Sequence, residues 1–344
     1  MVTRLLALAA AALRRLTPAG YRRITLVTLV SLVVIMVTGA AVRLTDSGLG
    51  CPTWPSCEAD SFTPHSASDL NGMVEFVNRL ITGAVMLLTV AAVLGARARR
   101  GQRPDLYRWS LGLPAWVLGN AVVGGLVVLL HLAPVSVIGH FLLSLGAVWN
   151  ATVLYEKAGE PPVPPTQGRR RRPLAVPAVV TACRLLVVAA GLVVVTGTVV
   201  TGSGPHAGDE AADRLDFVVG DVARLHGIAV MLFLALTLAV LWMARRGDAA
   251  PGVERRLVHL LVVLVAQAAV GYTQYFTGVP ALLVGVHVLG AALVWVAVLR
   301  VVLGLSEPGP ATLPVPGTAA AVGSVEALGA EPVEPAPVGP ANLN

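Results

Sequence analysis

Eight long apolar runs dominate this sequence, and each approaches or exceeds the roughly 20 residues that a helix needs to cross a bilayer. Of the 344 residues, 56% are hydrophobic and only 13% are charged, whereas soluble domains average about 25% charged residues. The sequence therefore predicts an all-α polytopic membrane protein. Its eight transmembrane helices are predicted at residues 24–42, 73–95, 109–131, 135–155, 177–201, 220–243, 257–276 and 281–304.

The distribution of Lys and Arg predicts the orientation of these spans, because cytoplasmic loops carry an excess of basic residues. The segment before span 1 and the loops 2–3, 4–5 and 6–7 are basic, whereas the alternate loops carry mainly acids. We therefore expect a multi-pass protein of the cell membrane, in contact with lipid and with both termini in the cytoplasm. The net charge of +6 has this topological explanation and does not indicate nucleic-acid binding.

The second half of the chain echoes the first. Gly124 and His140 are sixteen residues apart, and so are Gly271 and His287. Each half starts inside and has four spans, so we expect two tandem four-helix bundles related by a parallel internal repeat. The predicted segments are a cytoplasmic N-terminal segment at 1–23, the first half at 24–156, a cytoplasmic linker at 157–173, the second half at 174–304 and a disordered cytoplasmic tail at 305–344.

Span 2 carries Glu75, Asn78 and Arg79 within its first turns. A charged side chain near the bilayer centre costs at least ~2.5–3.5 kcal/mol, so such residues are rare unless they have a function. Glu75 and Asn78 are three residues apart and share one face of a helix. We interpret this face as the rim of a reaction pocket.

Three histidines lie in the spans at similar depths: His140, His226 and His287. A single intramembrane histidine is more often a packed, hydrogen-bonded residue than a ligand, but three at repeated positions favour ligation. Paired histidines on facing helices of a bundle are a common way to hold haem iron. His226 and His287 are predicted to form such a pair, whereas His140 faces a position occupied by Asn78.

Four arginines are predicted outside the membrane, namely Arg43, Arg79, Arg214 and Arg224. They are candidates either for binding haem propionates or for pairing with nearby Asp and Glu. His206 is a further candidate, because its loop is expected to lie over the second pocket.

Cys51 and Cys57 lie six residues apart in the first outer loop. An outer loop faces an oxidising compartment, where disulfides persist. On the residues alone, a structural clip and a redox pair near the first pocket stay equally open.

The sequence resembles the haem A synthase family over about residues 24–304. In the first half, the motifs that carry the resemblance are Arg43-Leu-Thr-Asp-Ser-Gly-Leu-Gly-Cys-Pro-Thr-Trp-Pro-Ser-Cys57, Glu75-Phe-Val-Asn-Arg79 and His140-Phe-Leu-Leu-Ser144. In the second half, they are Thr201-Gly-Ser-Gly-Pro-His-Ala-Gly-Asp209, Arg224-Leu-His226 and Gln274-Tyr-Phe-Thr-Gly-Val-Pro280, together with His287.

The resemblance implies an oxidoreductase that converts the C8 methyl of haem O to a formyl group, giving haem A for terminal oxidases. It implies that His226 and His287 hold haem b and that the first half takes the substrate haem O. It also implies that Glu75 is the catalytic residue and that Cys51 and Cys57 form a disulfide near that site. A haem O synthase is a candidate partner, and the electron acceptor is unassigned.

The sequence departs from the family pattern at Asn78, where many members have His. Either the substrate haem is five-coordinate with His140 as its protein ligand, or His131 or another group reaches in from elsewhere. The first alternative suits the chemistry better, because an oxidation needs an open iron position. Asn78 would then hydrogen-bond a ligand bound there.

Two other classes of function stay open. One is non-catalytic: a di-haem electron carrier or a haem-handling factor in oxidase assembly. The other is a transporter with a polar midplane site, which is disfavoured because the polar positions cluster near the outer face. Glu75 and the cysteine pair distinguish the enzyme from a carrier, since a simple carrier needs neither.

Overall fold

The structure is a computed structural model that describes residues 16–66, 69–161 and 170–309. Within these residues, eight helices are long and apolar enough to cross a membrane, so the predicted all-α multi-pass membrane architecture is confirmed. The helices are α1 (Pro18–Leu44), α2 (Leu70–Ala98), α3 (Pro104–Leu129), α4 (Pro134–Ala158), α5 (Pro177–Ser203), α6 (Val219–Arg246), α7 (Pro251–Phe276) and α8 (Ala281–Leu303).

Local sequence signals set the ends of these helices. Proline occupies the first turn of α1, α3, α4, α5 and α7, where its missing N–H has no helical partner to lose. The side chain of Asp69 caps α2 by accepting a hydrogen bond from the N–H of Gly72 at 3.1 Å. Helix α3 ends before the predicted end of span 3, because His131 and Leu132 take left-handed backbone conformations with φ of 51° and 61°.

The eight helices pack as two groups of four. Helices α1–α4 contact one another in the first bundle and α5–α8 in the second, and the bundles meet through the pairs α1–α8, α4–α8 and α4–α5. Each bundle has its own buried apolar core. Trp295 of α8 packs against both cores and donates a hydrogen bond to the carbonyl oxygen of Leu145 at 3.1 Å. The parallel internal repeat and the cytoplasmic placement of the termini stay predictions.

A charged cluster links the bundles at the end away from the Cys51–Cys57 loop. Glu156 of α4 accepts hydrogen bonds from Arg256 of α7 and Arg300 of α8, each at 2.7 Å. Arg256 also donates to the carbonyl oxygen of Arg300 at 2.7 Å. One carboxylate of the first bundle therefore holds two helices of the second.

A short ribbon lies at the same end of the molecule. Strand β1 (Arg170–Pro173) pairs antiparallel with β2 (Ser306–Gly309), and the N–H of Leu174 donates to the carbonyl oxygen of Leu305 at 2.8 Å. The prediction of disorder from residue 305 onward is therefore wrong for Ser306–Gly309, whose backbone groups find partners in the linker. Residues 1–15, 162–169 and 310–344, which include most of the predicted tail, lie outside the described residues.

Candidate functional site

A cavity of about 1390 Å³ extends through both bundles near the end that carries the outer loops. The sequence predicted one pocket in each half, and the structure corrects this to one continuous space. Helices α4 and α8 contact each other between the two bundles and contribute Ala147 and Ala291 to the wall. The wall also includes the polar span residues predicted from the sequence, namely Asn78, His140, His226 and His287.

His226 and His287 face each other across the second-bundle part of the cavity. Their ring centroids are 6.5 Å apart and their planes meet at 73°. At about 2 Å per metal–nitrogen bond, two imidazoles on opposite sides of one metal ion would have ring centres roughly 6 Å apart. Within the described residues, no three His, Cys, Asp or Glu side chains form a metal cluster. The pair therefore suits an ion that brings its own equatorial ligands, as the iron of a porphyrin does.

Each cavity histidine packs against a glycine of a neighbouring helix. A Cβ atom added at the glycine would lie only 2.9–3.2 Å from the imidazole Cε1 in the three pairs Gly124–His140, Gly197–His226 and Gly271–His287. Such contacts are too short for a side chain to fit without displacing the ring, so glycine lets the imidazole lie against the neighbouring helix. The equal glycine–histidine spacing in α3–α4 and α7–α8 thus reflects one packing contact made twice.

The ring nitrogens of these histidines have few protein partners. The Nδ1 atoms of His140 and His287 are buried without a hydrogen-bond partner in the described part of the chain. The Nδ1 atom of His226 lies 3.1 Å from the hydroxyl of Thr196. Buried polar atoms normally find a partner, so this donor set fits a bound group that engages the imidazoles.

Asn78 occupies, in the first bundle, a position like that of His226 in the second. The hydroxyl of Thr38 donates to the Asn78 Oδ1 atom at 2.8 Å, as Thr196 contacts His226. A Cβ atom at Gly39, beside Thr38, would meet nothing within 4 Å. The shorter Asn78 side chain therefore leaves open space over α1 where the second bundle holds an imidazole.

His131 lies away from the cavity of the first bundle. It lies in the exposed turn between α3 and α4 and is absent from the cavity wall. Among the described residues, His140 is the histidine that the first bundle contributes to the cavity. The position of His131 therefore gives no support to the alternative in which this residue reaches into the pocket as a second ligand.

Glu75 is 5% exposed, lines the cavity and is held by two hydrogen bonds. It accepts from the backbone N–H of Cys51 at 2.8 Å and from the Nη2 atom of Arg79 at 2.6 Å. Arg79 also donates to the carbonyl oxygens of Cys51, Thr53 and Ser56 at 2.9–3.2 Å. These two residues, one helical turn apart on α2, therefore fasten the outer loop to the helix.

The outer loop closes over the first-bundle part of the cavity. Cys51 and Cys57 form a disulfide, which confirms the pairing implied by the resemblance. Both are fully buried and neither lines the cavity. Trp54 of the same loop does line the cavity, with its indole against Gly125 of α3. Sequence reasoning missed Trp54, although a tryptophan between prolines in a cysteine-closed loop is a signal of a fixed aromatic side chain.

Arg43 also lines the cavity, at the end of α1. It donates to the carbonyl oxygens of His206 and Ala207 and pairs with no Asp or Glu of the described residues. His206 itself lies outside the wall, with its Nε2 atom 3.0 Å from the carbonyl oxygen of Val279. His206 therefore joins two outer loops, and its contact with a cofactor stays a prediction.

The remaining outer arginines have local partners. Arg214 donates to the carbonyl oxygens of Gly204 and Pro205 at 3.0 and 2.9 Å, and exposed Arg224 pairs with Asp221 at 3.1 Å. Sequence reasoning also missed other polar residues of the wall as cavity residues, although each interrupts an apolar span. These are Thr82, Asn120, Gln267 and Gln274.

Comparisons with known proteins agree with this arrangement. The family model COX15-CtaA, described as cytochrome oxidase assembly protein, matches residues 22–208, more than half of the chain. The chain is 34% identical over 99 residues to the heme A synthase of Geobacillus thermodenitrificans, covering 28% of this chain and 30% of that protein. It is 27% identical over 135 residues to that of Exiguobacterium sibiricum, covering 38% and 45%.

These two matches span less than half the length of the relatives. A third runs over nearly the whole relative: the chain is 23% identical over 295 residues to the heme A synthase of Halalkalibacterium halodurans, covering 81% of this chain and 95% of that protein. The chain therefore belongs to the COX15-CtaA family of cytochrome oxidase assembly proteins, the haem A synthase family that its motifs resemble.

Proposed function

We propose that this protein is a haem A synthase, which oxidises the C8 methyl of haem O to a formyl group. The observation that carries the proposal is the cavity that joins two unlike sites. One site has the facing pair His226 and His287, and the other is lined by His140 and the short Asn78. A paired site suits electron transfer, and a site with one imidazole suits a substrate that must react.

The second-bundle site is proposed to hold haem b between His226 and His287. The ring separation, the glycines that seat both imidazoles and the unpartnered Nδ1 of His287 support this assignment. Bound there, haem b would supply one-electron transfer, while the protein fixes its position and surroundings.

The first-bundle site is proposed to bind haem O, with its farnesyl tail toward lipid and His140 as its protein ligand. Arg43 lies at the outer end of the cavity with carbonyl partners only, so its charge is available to a propionate. Trp54 and the disulfide loop cover this part of the cavity and restrict the entry of water. Asn78 leaves room beside the substrate for a small ligand.

Glu75 is proposed as the proton acceptor during oxidation of the methyl group. With water as the oxygen donor, the conversion of a methyl to a formyl group releases four protons and four electrons, and an external electron acceptor would take the electrons. Its carboxylate lines the cavity, and Arg79 and the Cys51 N–H fix its orientation. A positioned carboxylate is a usual general base. Arg79, in this proposal, positions both the carboxylate and the loop.

The proposal is tested by expressing the full chain in a host that makes haem O and lacks haem A. Pigments are extracted and identified by mass. We expect haem A with the wild-type protein and with His259→Ala, which alters an exposed histidine outside the cavity. His140→Ala is expected to yield only haem O and haem B. If the wild-type protein accumulates with bound haem b but no haem A forms, the protein is a carrier and the proposal is wrong.

A further inference from the structure

A layer of polar side chains lies in the first bundle, one helical turn farther from the outer loops than His140. Ser144 follows His140 by four residues, Asn120 precedes Gly124 by four, and Thr82 follows Asn78 by four, so each lies one turn along its helix. All three side chains line the cavity. Neither haem ligation nor the proton transfer proposed for Glu75 involves this layer.

The corresponding positions of the second bundle differ in polarity. Val230 follows His226 by four residues, and Ala291 follows His287 by four. Gln267 precedes Gly271 by four and is the counterpart of Asn120: its amide donates to the carbonyl oxygen of His287 at 2.8 Å, and its Oε1 atom has no partner among the described residues. The two bundles therefore both carry an amide at this level and differ at the other two positions. Of these matched positions, only those of the first bundle carry hydroxyl groups.

The first-bundle layer retains free hydrogen-bonding capacity. The single hydrogen of the Ser144 hydroxyl is within reach of the Asn120 Oδ1 atom at 2.8 Å and of the carbonyl oxygen of His140 at 3.0 Å. The Asn120 Nδ2 atom donates to the carbonyl oxygen of Trp116 at 2.9 Å. A primary amide has two N–H donors, so one remains on Asn120, and the Ser144 oxygen can still accept. In apolar surroundings an unused donor is costly, which favours a polar atom of a ligand at this point.

We propose that Asn120 and Ser144, with Thr82 in the same layer of the cavity wall, recognise the side-chain hydroxyl of haem O; this assignment rests on the proposed function. Haem O carries a hydroxyethylfarnesyl group where haem b has a vinyl group, so the hydroxyl lies at the porphyrin edge. With the propionates toward Arg43, the opposite edge points to the polar layer. The layer lies one helical turn, about 5.4 Å, from His140. It is therefore level with the porphyrin edge and not with the iron that His140 would bind.

The hydroxyl of haem O is both a hydrogen-bond donor and an acceptor, and Asn120 and Ser144 together offer one acceptor and one donor to it. The free N–H of Asn120 donates to the hydroxyl oxygen, and the oxygen of Ser144 accepts the hydroxyl hydrogen. Haem b has no hydroxyl, so it would leave these groups unpaired in the first bundle. The second bundle, with Val230 and Ala291, suits a haem without one. The hydroxyl group of haem O would therefore determine which of the two haems binds in each site.

The test measures binding by the full-length protein with haem b already bound in the second bundle. Spectral titration compares haem O with dehydrated haem O, which keeps the farnesyl chain but lacks the hydroxyl. We expect the wild-type protein to bind haem O about tenfold more tightly, as one or two buried hydrogen bonds would give. In Asn120→Leu/Ser144→Ala the ratio should fall to about one.

Ser136→Ala is the matched control, because it removes a hydroxyl of the same helix that bonds the carbonyl oxygen of Ala133 and lies outside the cavity. Its ratio should equal that of the wild type. Retained haem b shows that each variant is folded, and Ser144→Ala alone serves if the double variant loses it. Equal binding of both probes by the wild type, or an unchanged ratio in the folded variants, overturns the inference. A wild-type protein that makes haem A yet binds both probes equally overturns this inference alone, whereas one that makes no haem A overturns the proposed function.

Discussion

Glu75 accepts a hydrogen bond from the backbone N–H of Cys51 at 2.8 Å, which joins a carboxylate of the cavity wall to the disulfide loop above it. The same carboxylate pairs with Arg79, which holds three further carbonyl groups of that loop. Glu75 can therefore serve as a proton acceptor, as a fastener of the loop, or as both. The two roles respond differently to two substitutions.

Glu75→Gln should keep the hydrogen bond from Cys51 while removing the proton acceptor. We expect haem A formation to fall at least 100-fold, within the usual contribution of a general base, while haem b stays bound. Glu75→Ala should also free the loop, which is measured as faster reduction of Cys51–Cys57 by a membrane-impermeant reductant. Haem A at the wild-type level in Glu75→Gln would leave Glu75 with the loop-fastening role only.

Asn78→His should convert the first-bundle site to one with two imidazoles. The space over Gly39 is open, and the hydroxyl of Thr38, which contacts Asn78, could contact a ring nitrogen as the hydroxyl of Thr196 contacts His226. We expect bound haem O to change from a high-spin to a low-spin spectrum, because a second imidazole would reach the iron, while haem A formation continues, because many members of the family have His at this position. A spectrum unchanged from the wild type would show that residue 78 does not face the iron.

Gly271→Ala should disturb haem b through His287, because the added methyl would lie 2.9 Å from the imidazole Cε1. We expect haem b to dissociate at least tenfold more readily, measured as haem retained after dilution in detergent. Gly39→Ala is the control, since its methyl meets nothing. In a helix it should raise stability by up to about 1 kcal/mol. Equal haem retention in both variants would contradict the packing role of glycine.

Glu156→Gln should weaken the contact between the bundles. Glu156 is only 12% exposed and pairs with Arg256 and Arg300, so its loss leaves two cations without their shared carboxylate. We expect the free energy of unfolding to fall by about 2 kcal/mol or more, measured in detergent. Glu254→Gln breaks an exposed pair with Arg245 and should cost less than about 1 kcal/mol. Similar losses in the two variants would refute a linking role for Glu156.

The sequence predicted the helices and the histidine pair because both depend on short-range regularities. Apolar runs determine the spans, and the recurring distance from Gly271 to His287 reflects contact between consecutive helices. The Glu75–Cys51 bond was not predictable, because it joins a loop to a helix at an angle that no spacing encodes. For the same reason, the joining of the two pockets and the pairing of Arg170–Pro173 with Ser306–Gly309 emerged only from the packed structure.

Only some of the polar residues in the spans were recognised as candidate site residues from the sequence. His140 stood out because imidazole is a familiar ligand, whereas Asn120 was overlooked because a lone amide in an apolar span has many structural roles. The hydrogen bond from Ser144 fixes the orientation of the Asn120 side chain, and Asn120 lies on the cavity wall. That information depends on how α3 packs against α4, which cannot be predicted from the residues adjacent to Asn120.

The central claim is that one cavity holds two haems of unlike coordination. The most direct measurement is the haem content and spin state of the protein purified from a host that makes haem O. The account predicts two haems per chain: a low-spin haem b that is lost in His287→Ala and a high-spin haem O that is lost in His140→Ala. A colourless protein, or a low-spin haem that survives both His226→Ala and His287→Ala, would contradict it.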